Sequence, residues 1–311
     1  MSRLLLTNKK TIMQQELGFI GLGRMGLNMT LNLVEKGYRV VGYNRSDAPR
    51  AEATAAGIEI VASLSELVTA LPSPRTVWLM VTSNAVDTVL AELLPLLTPG
   101  DTVIDGGNSF YTDSLRRHTE LAALAIHYLD CGTSGGMMGA RHGASIMVGG
   151  PADVFTAQEH IFKTLAAPGG YARVGNAGAG HFVKMVHNGI EYGMMGAIAE
   201  GMTVLHEHEA AFGIDLAEVL KPYEHESIIT SKLVSWLATA YAEGQIDAIK
   251  GEVPQGETEF EMEHITTIGT VKVLEAALAQ RKATRVEASY LGKLVAAMRN
   301  QFGGHKVISP E

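Results

Sequence analysis

At 311 residues the chain is long enough for two domains, each with its own core. A formal net charge of −8 argues against nucleic acid or an anionic membrane as main partner, and no apolar run approaches the roughly 18 residues that span a bilayer. The single cysteine, Cys131, excludes an internal disulfide framework, fits a reducing, cytoplasmic compartment and reads as packing rather than as a nucleophile.

Residues 1–15 carry Arg3, Lys9 and Lys10 and no acid, and are assigned to an N-terminal tail. A short strand from Leu17 to Ile20 then runs directly into Gly21-Leu22-Gly23-Arg24-Met25-Gly26. A helical pattern follows to Gly37, and a second strand spans Arg39 to Tyr43. Strand, glycine loop, helix and strand in this order form a dinucleotide-binding βαβ unit, so residues 21–26 are expected to hold a pyrophosphate at the helix N-terminus. The end of the second strand should meet the adenosine ribose. It carries Asn44-Arg45-Ser46, with the acid Asp47 one step later. An arginine beside a serine suits a 2′-phosphate, which favours NADP over NAD; the other reading is an exposed arginine at a helix start.

Further strands are expected at Ile58–Val61, Thr76–Val81, Thr102–Asp105 and His127–Asp130, separated by helices at Ser63–Ala70, Ala85–Leu97 and Thr112–Leu124. The alternation predicts an α/β fold with a doubly wound, mostly parallel sheet that binds ligands at the carboxyl ends of its strands. Val81, Thr82, Ser83 and Asn108 stand at two such ends and are assigned to the cofactor, the other reading of each loop being a simple turn. Ser134-Gly135-Gly136, after the next strand, reads as a carboxylate cradle of two bare amides beside a hydroxyl. A strand in Arg141–Gly150, a helix at Val154–Leu165 and a strand at Tyr171–Val174 complete a dinucleotide-binding domain over 16–177.

From Gly178 the pattern turns helical, giving an all-helical C-terminal domain over 178–311. Helices are expected at Gly178–Phe212, Leu216–Pro222 with Asp215 as N-cap, Ser231–Ala242, Val271–Arg281 and Val286–Arg299. Residues 244–264, acidic and glycine-containing, are assigned to an irregular or mobile connection. His206 and His208 point to different helix faces, and no other group has metal-ligand spacing, so no metal is expected. On the first helix Lys184, His187, Asn188 and Glu191 fall on one stripe, opposite Phe182, Val186, Ile190 and the glycines 189, 193 and 196. Such a helix should be buried on both sides, with the polar stripe facing a cleft.

This helix, from Gly178-Ala179-Gly180-His181 through Lys184-Met185-Val186-His187-Asn188-Gly189-Ile190-Glu191-Tyr192, resembles that of 6-phosphogluconate dehydrogenase (decarboxylating) in its short-chain form. The nucleotide loop at 21–26, Val103 to Ser109, Gly132 to Gly136 and the tail Arg299-Asn300-Gln301-Phe302-Gly303-Gly304-His305 are similar as well. The resemblance implies oxidation and decarboxylation of 6-phospho-D-gluconate in the pentose phosphate pathway or gluconate utilisation, with Lys184 as base and Glu191 as acid. It implies that Asn108, Ser134, Gly135, Gly136, His187, Asn188 and Tyr192 hold the substrate, with Arg281 on its phosphate. It also implies that Arg299 and His305 reach the site of a partner subunit in a homodimer with shared active sites, or a tetramer. The chain departs from that family at Pro254-Gln255-Gly256-Glu257-Thr258-Glu259-Phe260-Glu261, where an acidic stretch replaces a Gly-Arg-Trp-Thr-like segment. Two other readings stand beside it: a β-hydroxyacid dehydrogenase without decarboxylation, and a non-catalytic NADP-binding sensor.

Overall fold

A computed structural model describes residues 15–309 of the chain. The expected tail over 1–15 lies outside them, apart from Gln15. In β1 (Glu16–Ile20), Leu17 and Phe19 face one core and Ile20 faces another, all of them buried. A strand buried on both faces needs helices on both sides of its sheet. The chain supplies them in turn: α1 (Arg24–Glu35), β2 (Arg39–Tyr43), α2 (Asp47–Ala55), β3 (Glu59–Ile60), α3 (Leu64–Ala70), β4 (Thr76–Leu79), α4 (Val86–Leu93), β5 (Thr102–Asp105), α5 (Tyr111–Ala122) and β6 (His127–Ser134). There follow α6 (Gly136–His142), β7 (Ala144–Gly149), α7 (Ala152–Leu165) and β8 (Ala166–Gly175). The eight strands lie in the order β3-β2-β1-β4-β5-β6-β7-β8, parallel except between β6 and β7. Met29, Leu33, Ile161 and Phe162 from α1 and α7 close one face, and Leu67, Leu90, Leu93 and Leu121 from α3, α4 and α5 close the other. This is the expected Rossmann-like sheet.

The remainder is helical: α8 (Ala179–Glu207), α9 (Glu209–Phe212), α10 (Leu216–Glu224), α11 (Lys232–Ala242), α12 (Glu257–Ile268), α13 (Lys272–Ala283) and α14 (Tyr290–Gly303). At 29 residues α8 is about 43 Å long. Its start lies on β6, β7 and β8, and its second half builds a separate core with α10, α11 and α14 from Met195, Met202, Leu220, Leu237, Leu294 and Met298. The buried Asp130 carboxylate of β6 fixes that start, accepting from the amides of Gly178 (2.7 Å) and His181 (3.0 Å). An acid on the first free amides of a helix also meets the positive end of its dipole. Gly180 allows the approach, since a Cβ there would stand 2.4 Å from the Asp130 carbonyl oxygen.

The structure departs from the sequence expectations at several elements. The expected irregular connection over 244–264 gives way at Glu257 to α12, which runs on to Ile268. Helices α2 and α6 were not expected, and because α6 takes up Arg141 and His142, β7 begins only at Ala144. The long helix stops at Glu207 rather than Phe212. The last helix starts at Tyr290, where Ser289 accepts the Gly292 amide, and Val286 stands exposed before it. Nor is α8 buried all round: Gly189, Gly193 and Gly196 pack on α12 and α13, but Phe182 and Ile190 are exposed. No described helix is long and apolar enough to cross a membrane.

Candidate active site

The nucleotide loop is shaped by close backbone approach. Gly21 has φ +98°, and a Cβ on it would lie 2.3 Å from the Met80 carbonyl oxygen; one on Gly26 would lie 1.9 Å from the Gly21 oxygen. Gly23, the N-cap of α1, offers no side-chain cap and has open space at its Cβ position. The first amides of α1 therefore face a cavity of 340 Å³ lined by Gly23, Arg24, Met25, Gly26, Val81, Thr82, Gly106, Gly107 and Asn108. Free helix amides over an uncluttered cradle fit a dinucleotide pyrophosphate. Leu22 is buried, and its amide donates to Asn44 Oδ1 at 3.0 Å, which ties the end of β2 to the loop. Arg45 and Ser46 are exposed beyond that point. Ser83 sits on a short turn, Ser83–Ala85, away from the cavity wall.

Asn108 is placed by a buried network beneath it. The Asp105 carboxylate accepts from the Gly107 amide, the Ser109 and Tyr128 hydroxyls and Arg117, so the loop after β5 is held from below. Asn108, Arg24, Met25, Thr133 and Glu257 line both this cavity and a second one of 610 Å³. The second is lined by Ser134, Gly135, Gly136, Lys184, His187, Asn188, Glu191, Tyr192 and His305. The expected polar stripe thus faces a cleft of ligand size that opens onto the nucleotide cradle.

Within the cleft, Lys184 Nζ donates to Asn188 Oδ1. Its stem passes over Gly132, where a Cβ would stand 2.4 Å from the Lys184 Cβ. Burial holds the Lys184 amine below the usual lysine range, against the pull of Glu191 and Glu261. Burial raises Glu191, with Lys184 opposing and Glu261 reinforcing the shift. His187 Nε2 lies 3.3 Å from Ser134 Oγ; burial and the Lys184 charge lower its pKa, which favours neutral imidazole. Partial burial and Arg299, Arg24 and Arg281 push His305 down to about 4.

Two placements differ from expectation. Arg281 and Arg299 come together but are 2% and 4% exposed and do not line the cleft. Both donate to the Pro254 carbonyl oxygen, at 3.0 and 3.1 Å, and Arg281 also donates to Thr258 Oγ1 and stacks 4.6 Å over the Tyr192 ring. The departing segment thus covers them. Secondly, His305 lines the cleft of its own chain. The left-handed Gly304 at the end of α14 folds the tail back, and Arg24 Nη1 holds the Gly304 carbonyl at 3.0 Å.

Sequence reasoning missed Glu257 and Glu261 of α12. The Glu261 carboxylate accepts from Asn108 Nδ2 at 2.6 Å and from Asn188 Nδ2 at 2.7 Å. The signal was present in the acidic run at 257–261, but its partners lie far away in sequence.

Known proteins bear on this geometry. Residues 16–186 match the NAD binding domain of 6-phosphogluconate dehydrogenase, and residues 180–239 match the 6-phosphogluconate dehydrogenase C-terminal domain. The chain is 42% identical to YqeC of Bacillus subtilis over 293 residues, 93% of this chain and 98% of that one. It is 37% identical to an NAD(+)-dependent, decarboxylating 6-phosphogluconate dehydrogenase of Haloferax volcanii, over 94% of this chain and 98% of that one. Among solved structures, Plasmodium falciparum 6-phosphogluconate dehydrogenase superposes with a TM-score of 0.79 at 30% identity; 88% of this chain is covered and 62% of that one. A Mycobacterium tuberculosis 3-hydroxyisobutyrate dehydrogenase shares the fold at 21% identity and a TM-score of 0.73, over 92% of this chain and all of that one. The chain belongs to the 6-phosphogluconate dehydrogenase family of NAD(P)-dependent oxidoreductases.

Proposed function

We propose that the chain oxidises and decarboxylates 6-phospho-D-gluconate to ribulose 5-phosphate. The observation that carries the reading is the pair Lys184 and Glu191 on one cleft wall, with burial shifting the lysine down and the carboxylate up. Opposed shifts of this kind suit one group to act as base and the other as acid. Neutral Lys184 takes the C3 hydroxyl proton. A nicotinamide bound in the adjoining cradle would accept the hydride from C3. The Lys184 ammonium then protonates the new C3 carbonyl oxygen as the carboxylate leaves as CO₂, and Glu191 delivers a proton to C1 of the resulting enediol. Ser134, Gly135, Gly136, His187, Asn188 and Tyr192 hold the substrate, with Asn108 between substrate and cofactor.

A phosphorylated substrate is supported by a buried excess of positive charge. Of Arg281, Arg285 and Arg299, the first two meet the buried Glu259 carboxylate, whose two oxygens are engaged by Arg285 at 2.7 and 2.8 Å, and Arg299 meets no carboxylate among the described residues. Arg281 Nε stands 3.2 Å from that carboxylate without hydrogen-bond alignment, and Arg299 Nε has no acceptor among the described residues. A phosphate would take these donors once the Pro254 carbonyl turns aside, with His305 beside them. A β-hydroxyacid dehydrogenase would need neither this group nor Glu191. Arg45 and Ser46, exposed at the end of β2, support NADP as cofactor ahead of NAD. Ile190, Met194, Ala197, Gly201 and Val204 form an exposed apolar stripe along α8 that suits a second copy of the chain in a homodimer. A single subsite tests the chemistry: Glu191→Gln should spare hydride transfer more than release of ribulose 5-phosphate. Equal loss of both, or of neither, would refute the late-acid role.

A further inference from the structure

Glu261 is a carboxylate only 8% exposed, and it makes no ion pair among the described residues. Burying such a group without a cation is costly, so its hydrogen bonds must account for it. Both bonds are short and come from different directions, Asn108 Nδ2 on Oε1 and Asn188 Nδ2 on Oε2. Two amide donors converging on one side chain need two acceptors. A carboxylate has them, whereas a glutamine would turn its own NH₂ toward one of the asparagines. An asparagine amide can otherwise flip, exchanging donor for acceptor. With Nδ2 held by Glu261, Asn188 must present Oδ1 to Lys184 Nζ, which is the contact observed. Asn108, held in the same way, has no donor on Oδ1 among the described residues and stands at the junction of the two cavities.

We infer that Glu261 is a positioning residue for the reaction proposed above, locking Asn108 and Asn188 in the amide orientation that aims Lys184 and presents an acceptor to substrate hydroxyl or nicotinamide amide. The inference rests on that reading of Lys184 as the base. The stereochemical effect acts through the asparagines; a second effect acts through charge. Facing Lys184 are His187 and Glu191 on α8 and Glu261 and Glu257 on α12. β6 offers the Thr133 and Ser134 hydroxyls, while Tyr192 of α8, Arg24 of α1, Lys232 of α11 and His305 after α14 also line the cleft. Of these, Glu191 and Glu261 favour the ammonium form, against burial. Removing the Glu261 charge makes Lys184 easier to deprotonate.

Glu261→Gln and Glu261→Asp separate position from charge. The first readout is acylation of Lys184 by an amine-reactive reagent across pH, followed by mass spectrometry without substrate. The second is kcat and KM with 6-phosphogluconate, with melting temperature and cofactor Kd as checks of folding. Glu261→Gln should move the Lys184 labelling midpoint down by about half a pH unit or more. It should lower kcat on the order of tenfold to a hundredfold, as a misplaced base does. Glu261→Asp keeps the charge but is too short to reach both asparagines, so it should restore the midpoint and not kcat. A glutamine variant with wild-type midpoint and kcat, or with only a raised KM, would overturn the inference. If the glutamine variant does not fold, wild-type kcat in the aspartate variant overturns it. Wild-type protein inert toward 6-phosphogluconate would count against the proposed reaction, while the labelling midpoints still read the coupling of Glu261 to Lys184.

Discussion

Gly180→Ala should disable the protein from a position that touches no ligand. Gly180 lies in the first turn of α8, where alanine would ordinarily stabilise a helix by roughly 1 kcal/mol. The added Cβ would meet the Asp130 carbonyl oxygen at 2.4 Å, the Met147 oxygen at 2.6 Å and the Gly149 amide nitrogen at 2.8 Å. All three are backbone atoms of β6 and β7, locked in register by the pairing of Asp130 with Gly149, so none can rotate away. The first is short of ordinary contact by about 1 Å, and overpacking of this kind costs about 1–3 kcal/mol or more. The clash therefore outweighs the propensity gain, and α8 must lift from the sheet. Lifting it lengthens the bonds from the Gly178 and His181 amides to Asp130 and moves Lys184, one turn further on. A shift of about 1 Å in a catalytic group costs about a hundredfold in rate. The expected result is a melting temperature lower by a few degrees, at roughly 2–4 °C per kcal/mol, with kcat down about a hundredfold and cofactor Kd nearly unchanged. A variant with wild-type melting temperature and kcat would refute the seating of α8 described here.

Lys184→Met should abolish turnover and leave NADP binding nearly intact, because the nucleotide cradle lies on α1 and β4–β5; calorimetric titration beside a rate assay checks both. In the wild-type protein, Lys184 should acylate with a midpoint below the ordinary lysine range, since burial lowers its pKa and the neutral amine then appears at lower pH; a midpoint in the ordinary range would contradict this. Arg45→Ala should raise KM for NADP about ten- to a hundredfold more than for NAD, the equivalent of a charge-assisted bond of roughly 1.5–3 kcal/mol; an unchanged preference would make Arg45 a surface residue. Co-refolded Lys184→Ala and His305→Ala subunits should stay inactive, because His305 lines the cleft of its own chain. Recovered activity in mixed dimers would show instead that the tail crosses to the partner.

The sheet was legible because its signals are local. Gly21, Gly23 and Gly26 sit between an apolar strand and a helix, and the strands from β1 to β6 alternate with helical patterns. The polar stripe of α8 was legible for the same reason, since helical spacing alone puts Lys184, His187, Asn188 and Glu191 on one side. α12 was not. Its glutamates look solvated in sequence, yet Glu259 is buried against Arg285 and Glu261 against Asn108 and Asn188, partners 26, 153 and 73 residues away. Polar partners so distant leave no periodic trace. The exposed Phe260 between them further blurs any apolar face. Similarly, spacing gave no sign that Pro254 would take the donors of Arg281 and Arg299, because a backbone carbonyl has no sequence signature.

Coupling of oxidation to decarboxylation is the central claim, and one incubation tests it. Protein is given 6-phospho-D-gluconate with NADP and, separately, with NAD, and reduced cofactor and CO₂ are measured together. The expected result is one CO₂ for each reduced cofactor formed, with faster turnover on NADP. Reduced cofactor without CO₂, or no turnover with either cofactor, would contradict it.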